Sequence, residues 1–321
     1  SIPLHAIKSW YPVTVSSKEE AMWHGRRMIE ITPDSPRGYR TVGKQEWELN
    51  GRIDEAIRWE SKAIEIDAEN PGIPRAIGLA YSELGDPDMA LAYFDLAKAL
   101  TALDNKPDQK ELIVEKAVVR LVSGKDDAHQ VAELLPLPSG LFDTLLTVEF
   151  GVFVDLATAR PEDALTRMEA FVPECIGATE IPIKLMSCPS ALVRVYQELG
   201  DQKAAKDLSD LIVDNFKVWV HEYPVVWVRF QYAGSLATAG RTDEALDVLE
   251  DLVSSGWRGD YYIKHLGFIL CCDVRFDAIR AHERFQAIAA TIESDMAQQL
   301  ENVRAMENNG EIPTLEEVRQ M

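Results

Sequence analysis

Apolar and polar positions along this chain repeat on a long period. The stretch ELNGRIDEAIRWESKAIEIDAENP, Glu48 to Pro71, is answered 34 residues later by ELGDPDMALAYFDLAKAL. Gly51 returns as Gly85, Ala56 as Ala90, Ala63 as Ala97, and Trp47 is matched by Tyr81. Repetition at this length points to stacked pairs of antiparallel helices. The residues that end the first helix of each pair are Gly51, Gly85, Gly124, Gly200 and Gly240, with Ala159 in that place once; the intervals are 34, 39, 35, 41 and 40. Each mark precedes a polar helix start: GRIDEA, GDPDMA, GKDDAH, ARPEDA, GDQKAA, GRTDEA. Glycine supplies the left-handed residue that stops a helix. Pro87 and Pro161 fall where a first turn tolerates a missing N–H, and acids gather at the positive helix end. The small residue five positions on (Ala56, Ala90, Ala164, Ala205 or Ala245) lets the paired helices approach closely.

The ends depart from this pattern. SSKEEAMWHGRRMIEITPDSP predicts one helix opened by a Ser17–Glu20 capping box and closed by prolines. It serves as the second helix of an incomplete first unit, with Ser1 to Val15 over its open face. Near the other end, Phe285, Ile288, Ile292, Met296, Leu300 and Val303 form a one-sided helical stripe. The predicted organisation is an N-terminal extension and capping helix (1–34), a repeat array (35–256), and C-terminal capping helices with a tail (257–321).

Two helices per 34 residues, with an aromatic four before the glycine and an alanine five after, resemble the tetratricopeptide repeat family. Trp47, Gly51, Ala56 and Ala63 carry the resemblance in the first unit, and Tyr81, Gly85, Ala90 and Phe94 in the second. Tyr196, Gly200 and Ala205 match in the fifth, Gly240 and Ala245 in the sixth. The early tryptophan and the leucine–glycine pair of the first helix are mostly absent, Arg40 and Gly43–Lys44 standing there in unit one. The resemblance implies an all-α, right-handed superhelix of about six helix pairs with terminal capping helices. The phrase RFDAIRAHERFQAI also resembles the segment that closes such arrays in bacterial signalling proteins, where the array follows a DNA-binding domain or a nucleotide cyclase.

Composition narrows the function. The chain has 321 residues, 46% of them apolar, enough for one large core or a series of small ones. Its 33 basic and 53 acidic residues give a net charge of −20. A surface this acidic repels phosphate backbones and anionic headgroups, which argues against a nucleic-acid or membrane-surface role. The longest stretch free of charge, Phe230 to Gly240, is too short to cross a bilayer. The first residue is serine rather than methionine, as in a processed or excised piece of a longer protein, and no signal-peptide pattern precedes the fold. Localisation stays open between a cytoplasmic adaptor and the exported sensor half of a membrane regulator. Cys271 and Cys272 are too divergent on a helix to bridge. Cys175 and Cys188 either close a short loop in an oxidising compartment or stay as buried thiols, and the usual burial of cysteine favours the thiols.

Catalytic signatures are missing: no phosphate-binding loop, no HExxH, no paired CxxC, no GxSxG. The six histidines, His5, His24, His129, His221, His265 and His282, lack metal-ligand spacing. Acid pairs such as Asp126–Asp127 and Glu316–Glu317 sit at helix starts, where the macrodipole accounts for them. No cofactor or metal is expected.

FKVWVHEYPVVWVRFQYAG is rich in aromatic and β-branched residues, which favours a strand locally. Gly240 and Ala245 demand a helix upstream, so a helix opened by Pro224 is preferred. That register turns Trp227 and Phe230 towards the inner face, as core residues or as a hydrophobic anchor for a peptide. It also places Gln45, Glu48, Arg75, Glu149, Phe153 and Arg194 on that side. Arg75 and Arg194, basic in an acidic protein, either receive a peptide carboxylate or serve as salt-bridge partners. The lysine–asparagine clamp of the family's chaperone-binding members is absent: Thr41 and Gln45, then Arg75 and Leu79, stand in its place. The leading expectation is a non-catalytic module that binds a peptide or protein segment in a groove and reports to an attached effector. A helical enzyme or small-ligand sensor with its pocket near Trp227 and Phe230 is the second, and self-association through the long last helix the third.

Overall fold

The structure, a computed structural model, describes residues 18–103, 110–134, 145–181, 185, 188–223, 226–259 and 273–321. Among them the regular elements are fifteen α-helices and two short 3-10 turns, with no strand. They fall into two compact units. One is drawn from Ser1–Val119, Gly256–Gly267 and Thr291–Met321, the other from Arg120–Ser255 and Phe268–Ala290. The boundary read at 34 falls inside the first unit, and the one read at 256 lies one residue from where the chain passes from the second unit to the first. The Ser17–Glu20 cap and the cover formed by Ser1 to Val15 lie outside the described residues.

In the first unit, α1 (Lys18–Ile31), α2 (Pro36–Asn50), α3 (Ile53–Ile66), α4 (Gly72–Glu83) and α5 (Pro87–Leu103) each pack against the next. α6 (Lys110–Val122) follows. The expected marks hold the helix pairs together: Trp47, Ala56, Ala63, Tyr81, Ala90, Phe94 and Ala97 are all buried. Gly78 has the same purpose, since a Cβ there would come within 2.7 Å of the Phe94 ring.

The second unit contains α7 (Ala128–Leu134), α8 (Leu145–Ala157), α9 (Pro161–Phe171), α10 (Cys188–Glu198), α11 (Gln202–Glu222), α12 (Val226–Thr238) and α13 (Thr242–Ser254). α8 pairs with α9, α10 with α11 and α12 with α13. The first helices of successive pairs also touch one another, α8 with α10 and α10 with α12. The aromatic stretch is helical on both sides of Pro224, as expected. A 3-10 turn, Val274–Phe276, packs on α10 and α12.

Every expected helix stop adopts a left-handed backbone. Gly51, Gly85, Gly124, Gly200 and Gly240 have φ between 65° and 83°, and Ala159, at φ 56°, does what glycine does elsewhere. At Gly85 the N–H donates to the Ser82 carbonyl and the next N–H, of Asp86, to the Tyr81 carbonyl. The same pair of bonds recurs at Gly124, Ala159, Gly200 and Gly240. This double bond satisfies carbonyls that a helix end otherwise leaves open.

The last long helix, α14 (Glu283–Asn308), buries its stripe as predicted: Phe285, Ile288, Ile292, Met296, Leu300 and Val303 are all shielded. α15 (Leu315–Gln320) follows with a Thr314–Glu317 capping box. Within the first unit, α14 meets the earliest repeat through Gln299. Its Oε1 accepts from the N–H groups of Ile53 (2.7 Å) and Asp54 (3.2 Å), and its Nε2 donates to the Gly51 carbonyl (2.8 Å). Arg52, at the cap position of α3, contributes no side-chain cap, so Gln299 caps that helix from a distant part of the chain. Asn302 donates to the Asp54 carboxylate (2.8 Å), and the Tyr81 hydroxyl donates to Glu307 (2.7 Å). Burial opposes ionisation of Asp54, but hydrogen bonds from Arg52 and Asn302 hold its carboxyl below the usual range.

Candidate functional site

The candidate residues divide between the two units. In the first, Gln45 is 3% exposed and donates from Nε2 to the Ala21 carbonyl of α1 (2.9 Å). α1 therefore covers the Gln45 side chain. Glu48, half-buried, faces Lys44 one turn away at 3.5 Å. Arg75 on α4 makes a forked pair with the buried Glu115 of α6, Nη2 to Oε1 at 2.6 Å and Nε to both oxygens at 3.0 Å. This guanidinium ties consecutive first helices together.

In the second unit Glu149 and Phe153 are half-buried on α8, with Phe153 stacked on Phe150 at 6.3 Å. The interface between α10 and α12 is polar. The hydroxyls of Ser190 and Ser235 meet at 2.9 Å, and Gln197 donates to the Thr238 carbonyl at 3.5 Å. Arg194 lies between these two contacts, level with Ser235 to Thr238. Trp227 begins the same helix about two turns earlier, roughly 12 Å along the axis at 1.5 Å per residue. The register thus puts Trp227 and Arg194 on one face without bringing them together.

What covers this face is a return of the chain itself. Phe230 is 2% exposed and packs on Phe276 with centroids 5.7 Å apart; Phe276 in turn packs on Phe285 at 5.9 Å. Arg275, also 2% exposed, lies over both the Phe230 and Phe276 rings (5.3 and 5.6 Å). Its guanidinium donates to Gln231 Oε1 and to both carboxylate oxygens of Asp273 (2.6 to 3.2 Å). A Cβ at Gly234 would lie 3.0 Å from Arg275 Nη1, so a larger residue there would press on the guanidinium. Arg194, besides Gln197 (2.8 Å) and Glu198 (3.0 Å), reaches the Asp277 carboxylate at 3.4 Å. Arg280 donates to the Asp273 carbonyl at 2.7 Å and closes the turn. Trp227 stays half-buried one turn before Phe230, and its indole N–H finds no acceptor among the described residues.

Gly234, Gln231 and the Asp273–Arg275 pair were not singled out from the sequence, although the RFDAIRAHERFQAI phrase begins at this arginine. Nothing periodic marks them, because Gly234 and Gln231 matter through Arg275, 41 and 44 positions away, and Asp273 through its pairing with that arginine.

Two clefts lie elsewhere. One of about 350 Å³ in the first unit is lined by Asn50, Arg52, Arg258, Asp295, Gln299 and Asn302; Arg258 pairs with Asp295 there, and Arg52 with Asp54 beside it. The other, about 410 Å³ in the second unit, runs from Cys175 to Tyr196 and Lys203. Cys175 is a buried free thiol, and the Cys188 side chain lies outside the described residues; burial pushes the Cys175 pKa up to about 11, which keeps it protonated at neutral pH. Among the described residues no cluster of acids, histidines and cysteines could hold a metal ion. Nor is any described helix long and apolar enough to cross a membrane.

Residues 76–102, spanning most of α4 and α5, match the tetratricopeptide repeat family. No curated protein matches the chain. Among solved structures, that of Naa15/Naa10 bound to HypK-THB is similar at 14% identity and a TM-score of 0.35; the likeness covers 92% of this chain and 42% of that one. This chain thus spans less than half of that protein's length. The P58(IPK) TPR domain is similar at 10% identity and a TM-score of 0.27, with 94% and 98% covered.

Proposed function

We propose that this tetratricopeptide-repeat protein is a non-catalytic scaffold that binds a peptide or protein segment along the inner helices of its repeats. Stacked helix pairs present a continuous row of side chains, suited to an extended partner rather than a small substrate. The observation that supports the site is that the face of α10 and α12 holds a chain segment as a partner would be held. It offers an aromatic surface at Phe230, a carboxylate acceptor at Arg194 and a neutral acceptor at Gln231. Trp227, beside this surface and half-buried, is the anchor proposed for a partner. Glu149 and Phe153 would extend the binding face along α8, and Glu48 and Arg75 would act as polar guides in the first unit. An effector domain elsewhere in a longer protein, as in the regulators that the C-terminal phrase resembles, would give binding an output.

The test is affinity capture from native extract with the wild-type chain and with Trp227→Ala and Arg194→Ala. Truncating the tryptophan is expected to weaken capture by about 2 kcal/mol or more. The arginine effect is expected to shrink as salt is added. Helicity is checked for each protein. If both folded variants retain every wild-type partner, the inner face is the wrong surface.

A further inference from the structure

The segment Asp273–Asp277 is held on α10 and α12 by contacts that read its side chains one by one. The arginine enters a slot floored by Gly234, donates to Gln231 Oε1 and lies over the Phe230 ring. The following phenylalanine packs beside that ring, and the aspartate after it is shared between Arg194 of the face (3.4 Å) and Arg280 of its own turn (3.1 Å). The carboxylate that neutralises the buried guanidinium, Asp273, belongs to the same segment, two residues before the arginine. A cation buried this deeply is costly unless paired and hydrogen-bonded. A segment that brings its own carboxylate delivers a neutral, self-paired unit to a pocket supplying an amide oxygen and a ring face.

We infer that this face of the second unit is a recognition site for a turn of sequence Asp-x-Arg-aromatic-Asp, and that residues 273–277 are its built-in occupant, competing with a partner segment of the same chemistry. The inference rests on reading this face as a partner-binding surface, and it specifies which partner fits. Each position has a reason. The first acid is the counter-charge of the arginine, and Gln231 together with the ring selects a planar guanidinium over an ammonium. The aromatic fills the gap between Phe230 and Phe285, and the last acid meets Arg194. Lysine at the arginine position lacks the fork that meets Gln231 and Asp273 together.

The experiment uses the full chain and a fluorescent peptide of residues 273–281, DVRFDAIRA. In the chain carrying Arg275→Ala and Phe276→Ala the pocket is vacated, and the peptide should bind at least tenfold more tightly than to wild type. Binding should be lost when the peptide itself carries Arg275→Lys or Asp273→Asn, or when the vacated chain also carries Gln231→Leu. A folded vacated chain that ignores the peptide overturns the inference. Should the double variant not fold, wild type decides: excess peptide, but not a scrambled one, should speed hydrogen exchange at the Phe276 amide, which donates to the Asp273 carbonyl. Unchanged exchange there overturns the inference as well. Failure of the peptide while Trp227→Ala still weakens partner capture would discard the motif and leave the inner face standing as a binding surface.

Discussion

Removing the side chain of Gln299 should destabilise the first unit far more than a single surface amide ordinarily does. The amide is 3% exposed and serves three backbone groups of the first repeat's turn: two N–H groups at the start of α3 and the carbonyl of Gly51. Substituting a helix cap by alanine costs about 1 kcal/mol, within a range of about 0.5–2. Leaving the Gly51 carbonyl without its donor adds about 1–3 kcal/mol if water does not replace it. Gln299→Ala should therefore cost about 2–4 kcal/mol. Gln299→Glu keeps an acceptor and puts negative charge at a positive helix end, which is favourable. It loses the bond to Gly51, however, and crowds the carboxylates of Asp54 and Asp295, so its cost should fall between alanine and wild type. The assay is urea denaturation followed by circular dichroism, with hydrogen exchange of the Ile53 and Asp54 amides reporting on the first unit. At an m-value of about 2 kcal/mol/M, the midpoint should drop by roughly 1–2 M with the slope unchanged. Gln298→Ala, at the exposed neighbouring position, is the control and should stay within about 0.5 kcal/mol of wild type. A midpoint that moves no further for Gln299→Ala than for this control, with both amides still protected, would refute the claim that α14 caps the first repeat.

Two further predictions concern the helix stops. Gly51→Ala and Gly85→Ala both force alanine into a left-handed backbone, at about 1–2 kcal/mol, but only at Gly51 would the new Cβ strike another part of the chain, 2.1 Å from the Gly256 carbonyl oxygen. Gly51→Ala should thus be worse by a further 1–3 kcal/mol or so, and equal denaturation midpoints would show that the Gly51–Gly256 approach is not maintained in solution. Ala159→Gly should stabilise the second unit by about 0.5–1 kcal/mol, the left-handed strain relieved less the entropy that glycine adds to the unfolded chain; a lower thermal midpoint would count against the left-handed backbone assigned there.

The repeat was legible because its rules are local and periodic. A left-handed residue must end each first helix, and a small residue five positions on must admit the partner helix, so Gly51 to Ala245 could be placed by spacing alone. Even Ala159, the wrong residue type, was found by register, and it adopts the glycine conformation. Face assignments carried a different kind of information. Periodicity says which way a side chain points from its helix axis, not what arrives to cover it. Gln45 points inward by register and is covered by α1; Phe230 points inward and is covered by Phe276; Arg75 meets Glu115. Each cover comes from outside the residue's own helix, and for Phe230 it comes from a segment 46 positions away with no pattern linking the two.

That gap has a physical origin that bears on function. The face of α10 and α12 carries an aromatic ring, an amide oxygen and a guanidinium, and the chain's return segment meets all three. Gly234 makes the point. In a first helix glycine is unfavourable by about 1 kcal/mol relative to alanine, a cost that only a close approach offsets, and here the approaching group is the guanidinium of Arg275. At Gly234, mid-helix and with no left-handed backbone to explain it, the glycine makes room for a docked side chain. Gly78 against Phe94 and Gly151 against Arg167 follow the same logic within the repeats. At Gly234 the docked group comes from outside the helix pairs, and the proposed recognition site rests on that difference.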